Sequence, residues 1–428
     1  MNQVHLASLG CRLNEAELER WARDFHARGW RVTGDPEAAD LLVVNTCAVT
    51  REAARKSRNL LRRAQHRNPR AKLVVSGCYA TLEPDAARAI EGVDLLVDNR
   101  DKEALVDLSL AAFDASVMPA HARLPGESSL FARGRSRAFV KVQDGCRHRC
   151  TFCIVTVARG EERSRPLAEV LGDIRRLVAE GVKEAVLTGV HLGAYRDGRA
   201  GLPGLAAAIL ADTDLPRLRF GSVEPWDLDD AFLRLFDNPR LLPHLHLPLQ
   251  SGSDAVLRRM ARRARTGDFA RLVEAARGRT PRFNVSTDVI VGFPGETESE
   301  WRESMTFIEA MGFAHIHVFP YSPRPGTRAA RMPDQVPPEV IRRRCRELHG
   351  LSRLMKRAFI EANLGDTVEV LWEAGRRGAA ARCAGYTPNF LRVEVAAERP
   401  ETLDNTIVPT RLARLAADGE TIVGLLAA

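Results

Sequence analysis

Three cysteines sit in one short loop, Cys146-Arg147-His148-Arg149-Cys150-Thr151-Phe152-Cys153, behind Asp144-Gly145 and the apolar-alternating run Ala138 to Val142. A thiolate is a soft ligand, so three within reach of one point suit an iron–sulfur cluster or zinc rather than magnesium or calcium. Three is one fewer than either centre usually takes. An iron without a protein thiolate is an open coordination position, which separates a reacting centre from a closed structural one and leaves room for substrate as the missing ligand. The competing assignment is a zinc knuckle completed by His148, Cys345 or Cys383, although zinc ligands usually come as two separated CxxC pairs or as CxxC with HxxxH.

The CxxxCxxC spacing, the aromatic Phe152 before the last cysteine and the following Thr156-Val157-Ala158-Arg159-Gly160 resemble the signature of radical S-adenosylmethionine (SAM) enzymes. The resemblance implies that Cys146, Cys150 and Cys153 hold a 4Fe–4S cluster. It further implies that SAM chelates the fourth iron through its amino and carboxylate groups and that Phe152 packs near the adenine.

A chain of 428 residues has room for two or three domains with full cores, and 45% hydrophobic with 28% charged residues is ordinary for a globular protein. No stretch approaches a membrane span. Met1 to Gly10 has no cationic segment followed by a long apolar core, so the thiols are expected to stay reduced in the cytoplasm. The net charge of +8 suits an anionic partner such as nucleic acid, although charge alone is weak evidence because arginine-rich compositions raise it without one.

The elements that position a second set of cysteines come first in the chain. Val4 to Ser8, Asp40 to Asn45 and Lys72 to Ser76 read as strands, the second near-continuously apolar, ending at Cys11, Cys47 and Cys78. Each is followed by a helical pattern, with starts at Asn14 and Glu17, at Thr50, and at Thr81 and Pro84. Strands buried on both faces and alternating with helices imply a parallel sheet, whose ligands gather outside the strands' carboxyl ends. Three cysteines at three such ends can converge on one point, unless they are simply buried thiols. Leu9-Gly10-Cys11-x-x-Asn14, Asn45-Thr46-Cys47-x-Val49 and Gly77-Cys78-Tyr79-Ala80 resemble the N-terminal module of the methylthiotransferase family, in which three cysteines hold an auxiliary 4Fe–4S cluster. A helix from about Arg51 to Arg67 carries a basic stripe, either a solvated face or an RNA contact. Residues 114–134 lose periodicity into Pro, Gly, Ser and Arg and read as a linker after a module spanning 1–113.

From 135 to 362 strands and helices alternate again. Pro166 opens a helix to Glu180, and strands follow at Glu184 to Leu187, Leu218 to Val223, His244 to Leu249, Phe283 to Val291 and His315 to Phe319. Counting Ala138 to Val142, six βα units fit a partial (β/α) barrel with its chemistry at the strands' C-terminal ends. The radical SAM resemblance implies the same fold. The family's LTG, S-x-EP, Q-SGS and GFPGET blocks match Leu187-Thr188-Gly189, Ser222-Val223-Glu224-Pro225, Gln250-Ser251-Gly252-Ser253 and Gly292 to Thr297. By that resemblance Gly189, Glu224, Gln250 and Ser251 contact SAM. Val157 departs from the aromatic that many relatives carry there. Tyr321 to Thr327 forms a cationic loop, and a basic helix follows from about Pro337 to Ala362.

Beyond Thr367 the runs shorten and alternate, at Thr367 to Trp372, Ala380 to Ala384, Leu391 to Val395 and Thr406 to Pro409, which predicts a small β-barrel over 363–428. Gly385-Tyr386-Thr387-Pro388-Asn389-Phe390 resembles the core of a TRAM domain, an RNA-binding β module. Tyr386 and Phe390 suit either stacking on bases or barrel packing, with Arg376, Arg377, Arg382 and Arg392 for phosphates.

The whole chain thus resembles the radical SAM methylthiotransferases in module order. It is most similar to the branch acting on C2 of N6-threonylcarbamoyladenosine at position 37 of tRNA, through Gly10-Cys11-Arg12-Leu13-Asn14, Asn45 to Thr50, Thr188-Gly189-Val190-His191 and Gly385 to Asn389. Sibling branches modify isopentenyladenosine in tRNA or an aspartate of a ribosomal protein; a non-catalytic iron–sulfur RNA-binding protein is the remaining alternative. The resemblance implies SAM cleavage to methionine and a 5′-deoxyadenosyl radical, hydrogen removal from C2, sulfur supply from the auxiliary cluster, and methylation by a second SAM. Its implied partners are the tRNA anticodon stem-loop and an electron donor such as flavodoxin or ferredoxin.

Overall fold

The computed structural model describes residues 2–113, 136–280, 282–376, 382–396 and 402–426. The linker expected at 114–134 lies outside them. The chain divides into two compact units, residues 1–134 with 144–162 and 322–327, and residues 135–143 with 163–321 and 328–428. Among the described residues, no helix is long and apolar enough to cross a membrane.

The first unit is built on a parallel sheet in the order β2-β1-β3-β4-β5, with β1 (Gln3–Ser8), β2 (Arg31–Val32), β3 (Leu41–Thr46), β4 (Lys72–Gly77) and β5 (Val93–Val97). Every position of β3 is buried, because apolar layers cover both faces of the sheet. Leu18, Trp21 and Phe25 of α1 (Arg12–Ala27) pack with Val4, Leu41, Val43 and Val74. Ala54 and Leu61 of α2 (Arg51–Arg67) pack with Leu42, Val44, Leu73 and Val75 on the other side. Successive strand residues thus alternate between two cores, each fully buried Leu, Val or Phe contributing about 1.5–3 kcal/mol. Thr50 caps α2, its hydroxyl accepting from the Ala53 N–H at 3.0 Å, and β4 leads directly into the short helix α3 (Cys78–Leu82).

In the second unit, β6 (Arg137–Lys141), β7 (Glu184–Thr188) and β8 (Arg217–Phe220) form one parallel sheet, and β9 (His244–His246), β10 (Asn284–Val291) and β11 (His315–Pro320) form another. Bridges Leu218–Leu241 and Ser222–His246 join them, giving six strands in sequence order, with β6 and β11 as free edges of an open barrel among the described residues. Pro166 directly precedes α4 (Leu167–Ala179), where its fixed φ and missing N–H suit a helix start. Thr297 and Glu300 make a capping box on α5 (Glu298–Met311).

A closed five-stranded barrel ends the chain, in the order β12 (Thr367–Arg376), β13 (Arg382–Tyr386), β14 (Arg392–Ala396), β16 (Ile422–Leu426), β15 (Ile407–Leu415). Trp372, Cys383, Val393, Leu412 and Ile422 fill it, together with Ile360 of α6 (Pro338–Asn363). Cys383 is therefore a packing residue.

Candidate metal centres and cofactor site

The loop that carries Cys146, Cys150 and Cys153 is closed by its own backbone. Cys146 N–H donates to the Gly160 carbonyl at 3.1 Å, and Gly145 sits at φ +73° with its Cα against the Glu161 carbonyl. A Cβ there would lie 1.9 Å from that oxygen, so only glycine fits. Within the loop, Cys153 N–H bonds to the Cys150 carbonyl at 3.0 Å. Backbone N–H groups of His148 and Val155 point at the sulfurs of Cys146 and Cys153, each at 3.4 Å. Donors aimed at sulfur favour the thiolate over the thiol, the form that ligates metal. Phe152 is half-buried beside them, and Val157 is 65% exposed.

Cys11, Cys47 and Cys78 stand at the carboxyl ends of β1, β3 and β4. Gly10, at φ +119°, lets the first strand end approach the second; a Cβ on it would fall 2.8 Å from the Cys47 Cβ and 2.9 Å from its sulfur. Burial is the largest influence on Cys47 and pushes its thiol up to about 11, against a hydrogen bond from the Val49 N–H. The charges of Cys78 and Cys11 raise it further, so the three thiols feel one another, while Arg159 lowers it. A cationic metal core relieves such crowding, because coordination deprotonates thiols outright. The donor chemistry of both trios fits iron–sulfur ligation.

Beneath both trios lies a buried polar network centred on Arg159. Its guanidinium donates to Glu17 at 3.0 Å, to both oxygens of Asp144 at 3.1 and 3.2 Å, and to Asn14 Oδ1 at 2.8 Å. Burial alone would lower its pKa; Glu17, Asp144, Cys78 and Cys11 more than offset this and hold it protonated. Glu17 also accepts from Lys102 at 2.6 Å and from Asn45 at 2.9 Å. Asn14 is therefore not the cap of α1, whose N-cap is Cys11; its amide ties the Leu9 and Thr46 carbonyls at 2.8 and 3.2 Å. Asn99 bridges the Ala158 carbonyl at 2.7 Å and the Cys78 sulfur at 3.9 Å. Sequence reasoning assigned no role to Arg159, Lys102 or Asn99; the one available signal was Arg159's place in the motif after Cys153.

The residues expected to contact SAM lie in the second unit, at or beyond the carboxyl ends of the barrel strands. Gly189 follows β7, pressed against Gln143, whose Oε1 accepts from the His191 N–H at 2.8 Å. Glu224 is held in a two-point pair by Arg262, at 2.9 and 2.7 Å, and that guanidinium stacks 4.5 Å from the Trp226 ring. Gln250 adopts φ +72° and exchanges backbone hydrogen bonds with β10 on both sides, which turns its side chain at a fixed point. Ser251 is buried, its hydroxyl accepting from the Ser253 N–H at 3.3 Å. A glycine, a clamped carboxylate, an amide and a hydroxyl are the groups that an amino acid and a ribose would need.

Comparison with known proteins identifies the family. Residues 3–98 match the family described as uncharacterized protein family UPF0004, and residues 140–308 match the radical SAM superfamily. A threonylcarbamoyladenosine tRNA methylthiotransferase MtaB from Chlamydia pneumoniae is 34% identical over 97% of this chain and 96% of its own. The proteins of the same name from Bacillus subtilis (strain 168) and Thermotoga maritima are 36% identical over 92% of this chain and 90% of theirs, and 38% identical over 79% of each. The chain belongs to the radical SAM methylthiotransferase family. A solved radical SAM methyltransferase, TsrM from Kitasatospora setae, shares the fold at a TM-score of 0.60 over 77% of each chain, with 17% identity.

For this methylthiotransferase the RNA-facing expectations divide. Tyr386 and Phe390 stack on each other at 5.1 Å, and Arg137 and Arg219 lie 4.3 Å over Tyr386 and 4.6 Å over Phe390. Arg217 and Arg219 also donate to the Tyr386 and Pro388 carbonyls at 3.3 and 3.1 Å, and Asn284 to that of Asn389 at 2.6 Å. The segment that suited either base stacking or barrel packing thus docks the small barrel on the large one, because its rings meet barrel arginines. Arg382 and Arg392 both face Glu394, at 3.4 and 3.3 Å; Arg377 and the Arg376 side chain lie outside the described residues. On α6, Arg344 is buried against Glu296 at 2.9 Å, and Arg343 pairs with Glu298 and Glu347, each at 2.8 Å. In the first unit, Arg324 of the cationic loop lies 3.6 Å from Glu83.

Proposed function

We propose that this chain adds a methylthio group to C2 of N6-threonylcarbamoyladenosine at position 37 of the tRNA anticodon loop. The observation that carries this reading is similarity over 97% of the chain to a methylthiotransferase named for that nucleoside. Cys146, Cys150 and Cys153 would hold one 4Fe–4S cluster and Cys11, Cys47 and Cys78 a second, with Gly189, Glu224, Gln250 and Ser251 holding SAM and Phe152 against its adenine. When bound, the first cluster and SAM supply a 5′-deoxyadenosyl radical, able to break an unactivated C–H bond beyond acid–base chemistry, and the second cluster supplies sulfur.

The chain's own residues do the positioning. Gly145 closes the first cysteine loop, Arg159 ties that loop to α1, and Asn14 joins the ends of β1 and β3 beside Cys11 and Cys47. The modules divide as 1–113, the linker 114–134, 135–362 and 363–428. The protein works in the cytoplasm on a tRNA anticodon stem-loop, with electrons from a flavodoxin or ferredoxin. The test is anaerobic reconstitution with iron and sulfide, then reaction with SAM, reductant and an anticodon stem-loop carrying the nucleoside. A mass gain of one methylthio group in place of hydrogen supports the reading; SAM cleavage with unchanged RNA overturns it. In a companion test, Cys150→Ala keeps about half the iron and loses SAM cleavage if the two centres are separate. Loss of all iron refutes two independent sites.

A further inference from the structure

The open barrel has a cationic pocket at its free edge. Strand β11 pairs only with β10 among the described residues, and α6 lies along it. Between strand and helix is a cavity of about 360 Å³ lined by His315, His317, Phe319, His349, Arg353 and Lys356. Lys356 is met by Glu420 at 2.7 Å, whereas no described carboxylate lies within ion-pair distance of Arg353, so one positive charge is in surplus. His315 adds none of its own. Burial, then the charges of His317 and Lys356, press it down to about 4, leaving a neutral imidazole that can donate one hydrogen bond. Asp288 is paired with His246 at 3.1 Å, and its carboxylate lies within 4.8 Å of a ring nitrogen of His317.

We propose that this pocket is an oxyanion subsite for the RNA substrate, with Arg353 and Lys356 as its binding cations. The site rests on the function proposed above. The threonylcarbamoyl substituent presents one carboxylate and one hydroxyl, which suit a guanidinium, an ammonium and imidazole N–H groups, and Phe319 offers an apolar wall. A backbone phosphate has the same chemistry. The pocket lies at the free edge of the barrel, between β11 and α6, and Arg353 and His317 in its lining are exposed.

The test uses the full chain with both clusters reconstituted and measures equilibrium binding of two anticodon stem-loops, one carrying N6-threonylcarbamoyladenosine and one carrying adenosine at the same position. Arg353→Ala and Lys356→Met are compared with Arg346→Ala, which removes an exposed charge from the same helix outside the cavity. Loss of about tenfold on the modified RNA alone identifies the carboxylate as the bound group. Equal loss on both RNAs, absent in Arg346→Ala, identifies a phosphate. Wild-type binding by both pocket variants, or the same loss in Arg346→Ala, overturns the subsite. Turnover separates the two claims: wild-type protein that methylthiolates the modified RNA while the pocket variants bind normally refutes the subsite and leaves the function standing.

Discussion

Arg159→Met is the perturbation that most directly strains the frame of both cysteine trios. The guanidinium is buried, and its loss strips Glu17 of a partner at 3.0 Å, Asp144 of two at 3.1 and 3.2 Å, and Asn14 of one at 2.8 Å. Breaking a buried pair from one side costs about 3–5 kcal/mol. The lower end applies, because Glu17 keeps Lys102 at 2.6 Å and Asn45 at 2.9 Å while Asp144 keeps the Gly145 N–H at 2.8 Å. About 3 kcal/mol corresponds to roughly 150-fold at 1.36 kcal/mol per decade. Hydrogen exchange reads this as a rise of that size for the slowest amides of β1, β3 and β4, which exchange only when the sheet opens. Arg159→Lys keeps the charge, loses the two-pronged geometry and falls between the two. Exchange within about threefold of wild type in Arg159→Met would refute the frame, since a loss that small is under 1 kcal/mol.

Three further outcomes are expected. In the metal-free protein Cys47 is alkylated slowly at pH 8, because a thiol pushed from 9.0 to about 11 has roughly a hundredfold smaller thiolate fraction; peptide mapping of iodoacetamide labelling that finds Cys47 reacting like a free thiol contradicts its burial. Gly145→Ala puts a Cβ into the Glu161 carbonyl at φ +73°, so the variant should lose the iron proposed at Cys146, Cys150 and Cys153, read by iron content and electron paramagnetic resonance, while retaining the iron proposed at Cys11, Cys47 and Cys78. Burial alone would raise the pKa of Glu184, but Arg219, Arg217 and Arg137 bring it down from 4.5 to about 2. Its contribution is therefore present above about pH 4.5 and lost as the pH falls through about 2, on the order of 3 kcal/mol at most. Urea midpoints of wild type and Glu184→Gln, separated at pH 6, should converge toward pH 2; a constant separation would contradict the ion-pair assignment.

The cysteine-bearing strands were legible because both faces of the sheet are covered, so β3 reads as an unbroken apolar run and the thiols fall at its end and its neighbours'. The helix Pro338–Asn363 was legible through its long periodicity and the six barrel strands through short apolar runs, although β9 covers only His244–His246 of the expected His244 to Leu249. Edge and closing strands were not: β2 has two residues, β5 is mostly half-exposed, and β16 carries Gly424 in its middle. Asn14 with Glu17 imitates a capping box, yet both side chains serve groups far along the chain. Arg159 and Glu17 are 142 residues apart, and no local pattern records such a pair. Tyr386 and Phe390 have the composition of a base-stacking platform, and only the position of Arg137, Arg217 and Arg219 beneath them shows that they join the two barrels.

Mass spectrometry of nucleosides from total tRNA tests the central claim most directly, comparing cells with the gene, without it, and complemented with Cys150→Ala. Loss of the 2-methylthio form with accumulation of N6-threonylcarbamoyladenosine, restored by the wild-type gene and not by the variant, is the expected result. An unchanged nucleoside profile on deletion would contradict it and direct attention to ribosomal proteins as the substrate.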